Sequence, residues 1–285
     1  VYDRFMTGWR QVIVFYLKRL LRIWPLLWMC LALLLLPAVL KGQSPSGWRI
    51  FLNATTLFSF WDPGAYLNAG AWSIGNEIVY YAWTPLILLA YRRRWWGNLV
   101  WMGSAALAAY FAMGFRMDSS ISSQWHWYIN PYNNLFLYVS GFAVYFNLRD
   151  VRLPAGVAAG IVVLAMGVFV WYPAAGDRIV LVMGVGRLVF VSSSVALVVG
   201  FYKFERTALI PGVVAFPLEK FGVATYGVYL LHPLMLYYLS VVLSRIGMDR
   251  PVIRFWGTAL ITPVIALCSY YWIERRITLV GSRYL

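Results

Sequence analysis

Eight stretches of this chain, near 23–40, 72–91, 97–115, 132–147, 154–172, 179–201, 223–245 and 252–273, are apolar for long enough to cross a bilayer. Hydrocarbon offers no water to a backbone N–H or C=O, so a segment of this length must close its hydrogen bonds internally, as a helix. The expected fold is all-α, a polytopic transmembrane helix bundle of about eight spans, the fourth the shortest. A hydrophobic share of 62% and a charged share of 12% leave little material for a soluble domain. Residues 1–285 therefore read as one transmembrane domain.

Lys and Arg concentrate in cytoplasmic loops, and that bias orients the spans. With residues 1–22 inside, alternation places Lys18, Arg19, Arg22, Arg92, Arg93, Arg94, Arg149, Arg152, Lys203, Lys220, Arg275 and Arg276 on the inner side, and fewer basic residues outside. Both ends of the chain are then cytoplasmic. The net charge of +14 reads as topology and contact with anionic membrane lipid. No basic run with interleaved aromatics suggests nucleic acid. Cys30 and Cys268 both fall in expected spans, which favours two buried structural thiols over a disulfide or a metal-thiolate motif.

Polar residues inside the apolar windows are the candidates for chemistry. In the second span, Ser73, Glu77, Tyr80 and Thr84 share one helical face, while Ile74, Ile78, Val79, Leu86, Ile87, Leu88 and Leu89 lie on the others, expected to touch lipid. A carboxylate at membrane depth costs roughly 2.5 to 3.5 kcal/mol on insertion scales, so Glu77 must face other helices or a wet cavity. It is either a functional group or one tied structurally to a neighbouring Arg or Trp. Arg187 lies about nine residues into the sixth window, some 13 Å deep at the helical rise, and Glu77 is its natural partner from a similar depth. Asn134, Tyr138, Gly141 and Tyr145 make a polar face on the fourth span. Thr225, Tyr229 and His232 share a face of the seventh, with Pro233 beside the histidine.

At the inner mouth of the first span, Arg19 and Arg22 project from one face with Lys18 beside them, and Pro25 follows near the span's entry. Like charges this close repel unless they share an anion; the alternative is a positive-inside anchor snorkelling to headgroups. Outside, residues 41–71 form the longest loop, rich in aromatics such as Trp48, Phe51, Phe60 and Trp61, suited to the membrane surface or to stacking on sugar rings. His126, between Trp125 and Trp127, reads as part of an aromatic belt. Asn53-Ala54-Thr55 matches a glycosylation sequon, a three-residue pattern too short to carry weight.

Four stretches in this order resemble the acyltransferase family 3 membrane proteins: RLLRIWP at Arg19 to Pro25, WSIGNEIVYY at Trp72 to Tyr81, YGVYLLHP at Tyr226 to Pro233, and YYWIERR at Tyr270 to Arg276. The resemblance implies ten spans in a bacterial cytoplasmic membrane and transfer of an acyl group, acetyl above all, from cytoplasmic acyl-CoA to a hydroxyl of an extracytoplasmic sugar or polysaccharide. Acyl-CoA is then a donor substrate, and no cofactor or metal is implied. The family's RxxR maps onto Arg19 and Arg22, thought to hold the phosphates of CoA, with Lys18 beside them. The motif around the family's first carboxylate maps onto Trp72, Ser73, Glu77 and Tyr80, and His232 matches a histidine of a late span.

Glu77 and His232 are thus the catalytic candidates within this chain. Trp72, Ser73, Asn76, Tyr80, Tyr138, Arg187 and Tyr229 are candidates to line an acceptor site or pore. The family's first span, carrying a basic residue and a catalytic histidine, and its second span have no counterpart here. The expectation is an N-terminally truncated chain that is inactive by itself. A hydroxyl attacking a thioester needs a general base and donors for the oxyanion; direct transfer and an acyl-enzyme both remain open. A transporter or flippase of a lipid-linked sugar or anionic solute would also use intramembrane Glu and Arg, but would not need Arg19 and Arg22. The sequence leaves the oligomeric state open.

Overall fold

The computed structural model describes residues 8–116, 118–173, 179–204 and 212–284, without the side chains of 214 and 282–284. Long helices occupy all eight expected windows: α1 (Trp9–Leu40), α4 (Ala71–Ala90), α5 (Arg94–Gly114), α7 (Pro131–Leu148), α8 (Ala155–Trp171), α10 (Gly184–Lys203), α11 (Gly212–Arg245) and α12 (Pro251–Ser269). Short helices α2 (Gly47–Ala54), α3 (Phe58–Trp61), α6 (Trp125–Tyr128) and α9 (Ile179–Val182) lie between them. After α12 a single π-turn over Tyr270–Glu274 leads into α13 (Arg275–Tyr284). Four helical stretches, Trp9–Leu40, Gly184–Lys203, Ala215–Arg245 and Pro251–Gly281, are long and apolar enough to cross a membrane. In α4 the polar residues Ser73, Asn76, Glu77 and Thr84 lower the hydropathy that its length alone would give.

The chain divides into two compact units, Val1–Ile78 with Ile210–Leu285, and Val79–Leu209. In the first, α11 and α12 pack antiparallel through glycines: a Cβ on Gly227 would stand 3.1 Å from Ala266 Cβ, and one on Gly257 would stand 2.6 Å from Leu239 Cδ2. Helix α11 runs parallel to α1, since Tyr226 donates to the Ile23 carbonyl (2.7 Å) and Tyr238 to the Leu33 carbonyl (2.6 Å). First and seventh spans leaving the same side is what strict alternation requires.

The expected outer loop is folded. Ser46 caps α2 by accepting from Arg49 N. Asn53, 1% exposed, donates to the Arg49 and Ala65 carbonyls and accepts from Leu67 N. Both ends of its amide are engaged, so the sequon at Asn53 is not available to a glycan. Trp48, Phe51, Phe60 and Trp61 remain exposed around this core, as an interfacial segment requires.

In the second unit α5 meets α7 through a reciprocal Asn98–Asn147 amide pair and a bond from Trp101 Nε1 to Ser140 Oγ (2.9 Å). Helix α10 lies on α8, where a Cβ on Gly200 would come within 2.6 Å of Val162 Cγ2. Lys203, buried at the end of α10, donates to the Leu148 and Val151 carbonyls past the end of α7. The Leu148 carbonyl at the helix end also accepts from Val151 N, so the ammonium adds a second bond there and supplies the one to Val151.

Several expectations are corrected. Helix α1 starts at Trp9, so Pro25 lies deep in its interior and removes the amide that would reach the Leu21 carbonyl. The sixth window is broken at Met183–Gly184, where Gly184 takes φ +52°, a conformation open to glycine. Arg187 therefore sits in the first turn of α10 and not nine residues into a continuous helix. On α4, Ile74, Val79 and Ile87 are buried and only positions such as Leu86 and Leu89 are open to lipid. Cys30 is buried as expected, whereas Cys268 is exposed.

Candidate functional site

Tyr226 stands where the four sequence stretches meet. It comes from YGVYLLHP on α11, and its hydroxyl donates to the carbonyl of Ile23, in RLLRIWP on α1. The charges of Glu274, Glu77 and Arg22 and the thiol of Cys30 all lie within Coulomb reach of that phenol. Glu77 belongs to WSIGNEIVYY and Glu274 to YYWIERR, so residues as far apart in sequence as Arg22 and Glu274 share one polar centre. All of them belong to the first unit.

Each member is held by its own local structure. The π-turn packs against α1, and a Cβ on Gly281 would come within 2.5 Å of Leu21 Cδ1. A π-turn places residues five apart on one face; Ser269 thus stands beside Glu274, near enough to favour its carboxylate, although neither Ser269 Oγ nor Glu274 Oε1 has a hydrogen bond of good geometry. Glu274 is 5% exposed, and its Oε1 accepts from no described residue. Arg22, one residue from Ile23, is exposed, while Arg19 lies over the ring of Phe15 at 5.5 Å. Lys18 is exposed beside them. Cation and buried carboxylate thus approach each other without forming an ion pair.

The glycine of WSIGNE explains itself by packing. A Cβ on Gly75 would stand 1.8 Å from Ser59 Oγ and 2.7 Å from Phe58 Cζ, so only glycine lets α4 close on α3. Just ahead of α4, buried Asn68 donates to the Leu230 carbonyl and accepts from Gly70 N, and Gly70 lies against the Tyr229 carbonyl. Glu77 is half-buried, as are Trp72 and Ser73, whereas Asn76 is buried.

His232 is exposed, with Nδ1 2.6 Å from the Tyr229 carbonyl. Pro233 has no N–H to give that carbonyl, which leaves it open to the histidine. A carbonyl only accepts, so Nδ1 carries the proton and Nε2 of the neutral ring is the acceptor. Thr225, on the same face, turns its hydroxyl back to the Phe221 carbonyl and is also exposed.

The second unit holds a separate polar centre. Arg187, 6% exposed, donates from Nη2 to the Asn133 carbonyl (2.8 Å) and to Asn134 Oδ1 (3.1 Å). Tyr80 and Tyr128 lie within Coulomb reach of it. Tyr80 donates to the Pro131 carbonyl at 2.7 Å and stacks on Tyr138, whose hydroxyl meets Thr84 Oγ1 at 2.6 Å. Glu77, the partner expected for Arg187, belongs to the first unit.

Sequence reasoning missed Glu274, Tyr226 and Asn133 as site residues. Glu274 reads in sequence as part of a charge-rich exit with Arg275 and Arg276. Only the π-turn, which has no sequence signature, turns it inward.

A family model described as an acyltransferase domain matches residues 4–273. That range takes in the first three stretches whole and reaches into the fourth. No curated protein and no solved structure matches the chain.

Proposed function

The chain belongs to the acyltransferase family 3, and on that premise we propose that it takes an acyl group from cytoplasmic acyl-CoA and delivers it to a hydroxyl of an extracytoplasmic sugar. The observation that carries this reading is the gathering of Arg22, Glu77, Tyr226 and Glu274, one from each of the four stretches, in a single unit. Arg22 is exposed and makes no hydrogen bond to a described residue, so its planar fork is open to a phosphate oxygen pair. CoA carries phosphates on a nucleotide and a thin pantetheine arm. The charged end would stay at Arg19, Arg22 and Lys18 while the arm reaches inward.

In the transfer, the hydroxyl oxygen bonds to the thioester carbonyl carbon, the carbon–sulfur bond breaks, and CoA leaves as a thiol carrying the proton that the hydroxyl lost. His232, with Nε2 as acceptor, and Glu77 are the groups in this chain offered for that proton. Trp72, Ser73, Asn76 and Tyr229 are the first unit's candidates for the acceptor, and Tyr80, Tyr138 and Arg187 are the second unit's own. Acetyl is the acyl group we favour, and the site requires neither a cofactor nor a metal.

Reconstitution of the full-length protein in sealed liposomes tests this. Radiolabelled acetyl-CoA is placed on one side and a polysaccharide fragment on the other. Label on the fragment in alkali-labile ester linkage is expected. Movement of an unmodified sugar with no ester formed would favour the transporter class.

A further inference from the structure

Glu274 is the buried group that the reading above leaves without a task. It is 5% exposed, and its Oε1 has no hydrogen-bond donor among the described residues, although Ser269 and Tyr226 stand close by. Ser269 Oγ is itself unbonded, and the Tyr226 hydroxyl is already given to the Ile23 carbonyl. A bare carboxylate oxygen away from water is among the costliest arrangements in a folded chain. Here it is built on a π-turn, a distortion frequent at functional sites. Two contacts fix its place along α1 independently of charge: Gly281 on Leu21, and Ile273 and Ile277 alongside Leu17, Leu20 and Pro25. That level is the one from which Arg22 projects.

A ligand suited to both groups has an anion for the exposed guanidinium and, further in, a hydrogen-bond donor for the carboxylate. The donor molecule has that order: phosphates on the nucleotide, then a pantetheine arm with two amide N–H groups and a hydroxyl. We propose that Glu274 is a specificity residue that accepts a hydrogen bond from the pantetheine arm while Arg22 holds the phosphates. The proposal rests on the acyl-CoA reading and adds a division of labour to it: α1 grips charge, and the π-turn recognises the arm.

The test compares two probes on the full chain in detergent or nanodiscs: CoA, and adenosine 3′,5′-bisphosphate, which has the charge of the nucleotide and no arm. Glu274→Met removes the acceptor at similar volume, and Glu274→Gln keeps one acceptor oxygen without charge. Glu274→Met should weaken CoA binding roughly 10- to 100-fold and leave bisphosphate binding within about twofold, as loss of one charged hydrogen bond implies. Glu274→Gln should recover part of the CoA affinity. Arg22→Ala should weaken both probes. Thermal unfolding midpoints report folding, and removing an unpaired buried charge should not lower them.

Should Glu274→Met fail to fold, Glu274→Gln alone still decides, by whether CoA weakens more than bisphosphate. Equal losses for the two probes, or unchanged CoA affinity, would overturn the proposal. A wild-type chain that binds bisphosphate and CoA equally well would also overturn it, because the arm would then contribute nothing. If the wild type binds neither, the acyl-CoA reading itself falls, and the assignment of Glu274 goes with it.

Discussion

The two units bury cations and carboxylates under different rules. In the second, Arg187 and Lys203 direct their protons to main-chain carbonyls of Asn133, Leu148 and Val151, and Thr84 is matched to Tyr138. In the first, Arg22 is exposed with no bonded partner among the described residues, and Glu274 is buried with a bare oxygen. A cation spent on helix-end carbonyls holds helices together. Arg187 Nε and Asn133 Oδ1 are also left without a bond in the second unit, so what sets the first apart is a bare carboxylate oxygen near an exposed guanidinium. The contrast separates an architectural polar centre from a binding one more sharply than burial does, since both Arg187 and Glu274 are buried.

Exchanging roles between the units is the strongest way to break this comparison. Arg187→Ala should cost about 3 kcal/mol of stability, because it removes charged hydrogen bonds and leaves a cavity. Arg22→Ala should stay within about 0.5 kcal/mol, as an exposed position does. Unfolding in mixed micelles reads both, and equal losses would erase the distinction. Next in size, Lys203→Met should destabilise by about 2 kcal/mol, since the Val151 carbonyl loses its donor and the Leu148 carbonyl loses one of two. Donor affinity should be unchanged in that variant.

How far the sequence carried the account differs between the units. Every long helix was legible, because a span must be apolar along its whole length and turns must interrupt it. The fates of the polar residues were not. Helical periodicity put Glu77 on a polar face, but it could not show that Ile74 and Val79 on the other faces are buried as well. Nor could it show that α3 closes on Gly75, a contact between segments that periodicity does not encode. Arg187 was legible as a buried cation, but the break at Gly184 and the carbonyl of Asn133 that meets it were not. Pro25 looked like a helix start because hydropathy marks where lipid begins, while α1 continues for several turns before it.

Two smaller effects sharpen the same contrast. Gly75→Ala should cost about 1 to 3 kcal/mol by overpacking, since the new methyl meets Ser59 and Phe58 at impossible distances. Its loss of donor binding should track its loss of folded protein and no more. Thr84→Val removes the hydrogen bonds to Tyr138 and to the Tyr80 carbonyl at nearly constant volume and should lower stability by about 1 kcal/mol, read as a small fall in the unfolding midpoint.

Acetyl-CoA affinity of the Arg19→Ala, Arg22→Ala double variant, measured beside wild type at matched unfolding midpoints, bears most directly on the claim that the first unit's open charges are the donor site. A charged hydrogen bond contributes about 1.5 to 3 kcal/mol, so the account predicts affinity lower by at least roughly 10- to 150-fold. Arg22→Lys should recover little of its share, because an ammonium keeps the charge and loses the planar fork. Wild-type affinity in a well-folded double variant would contradict the account.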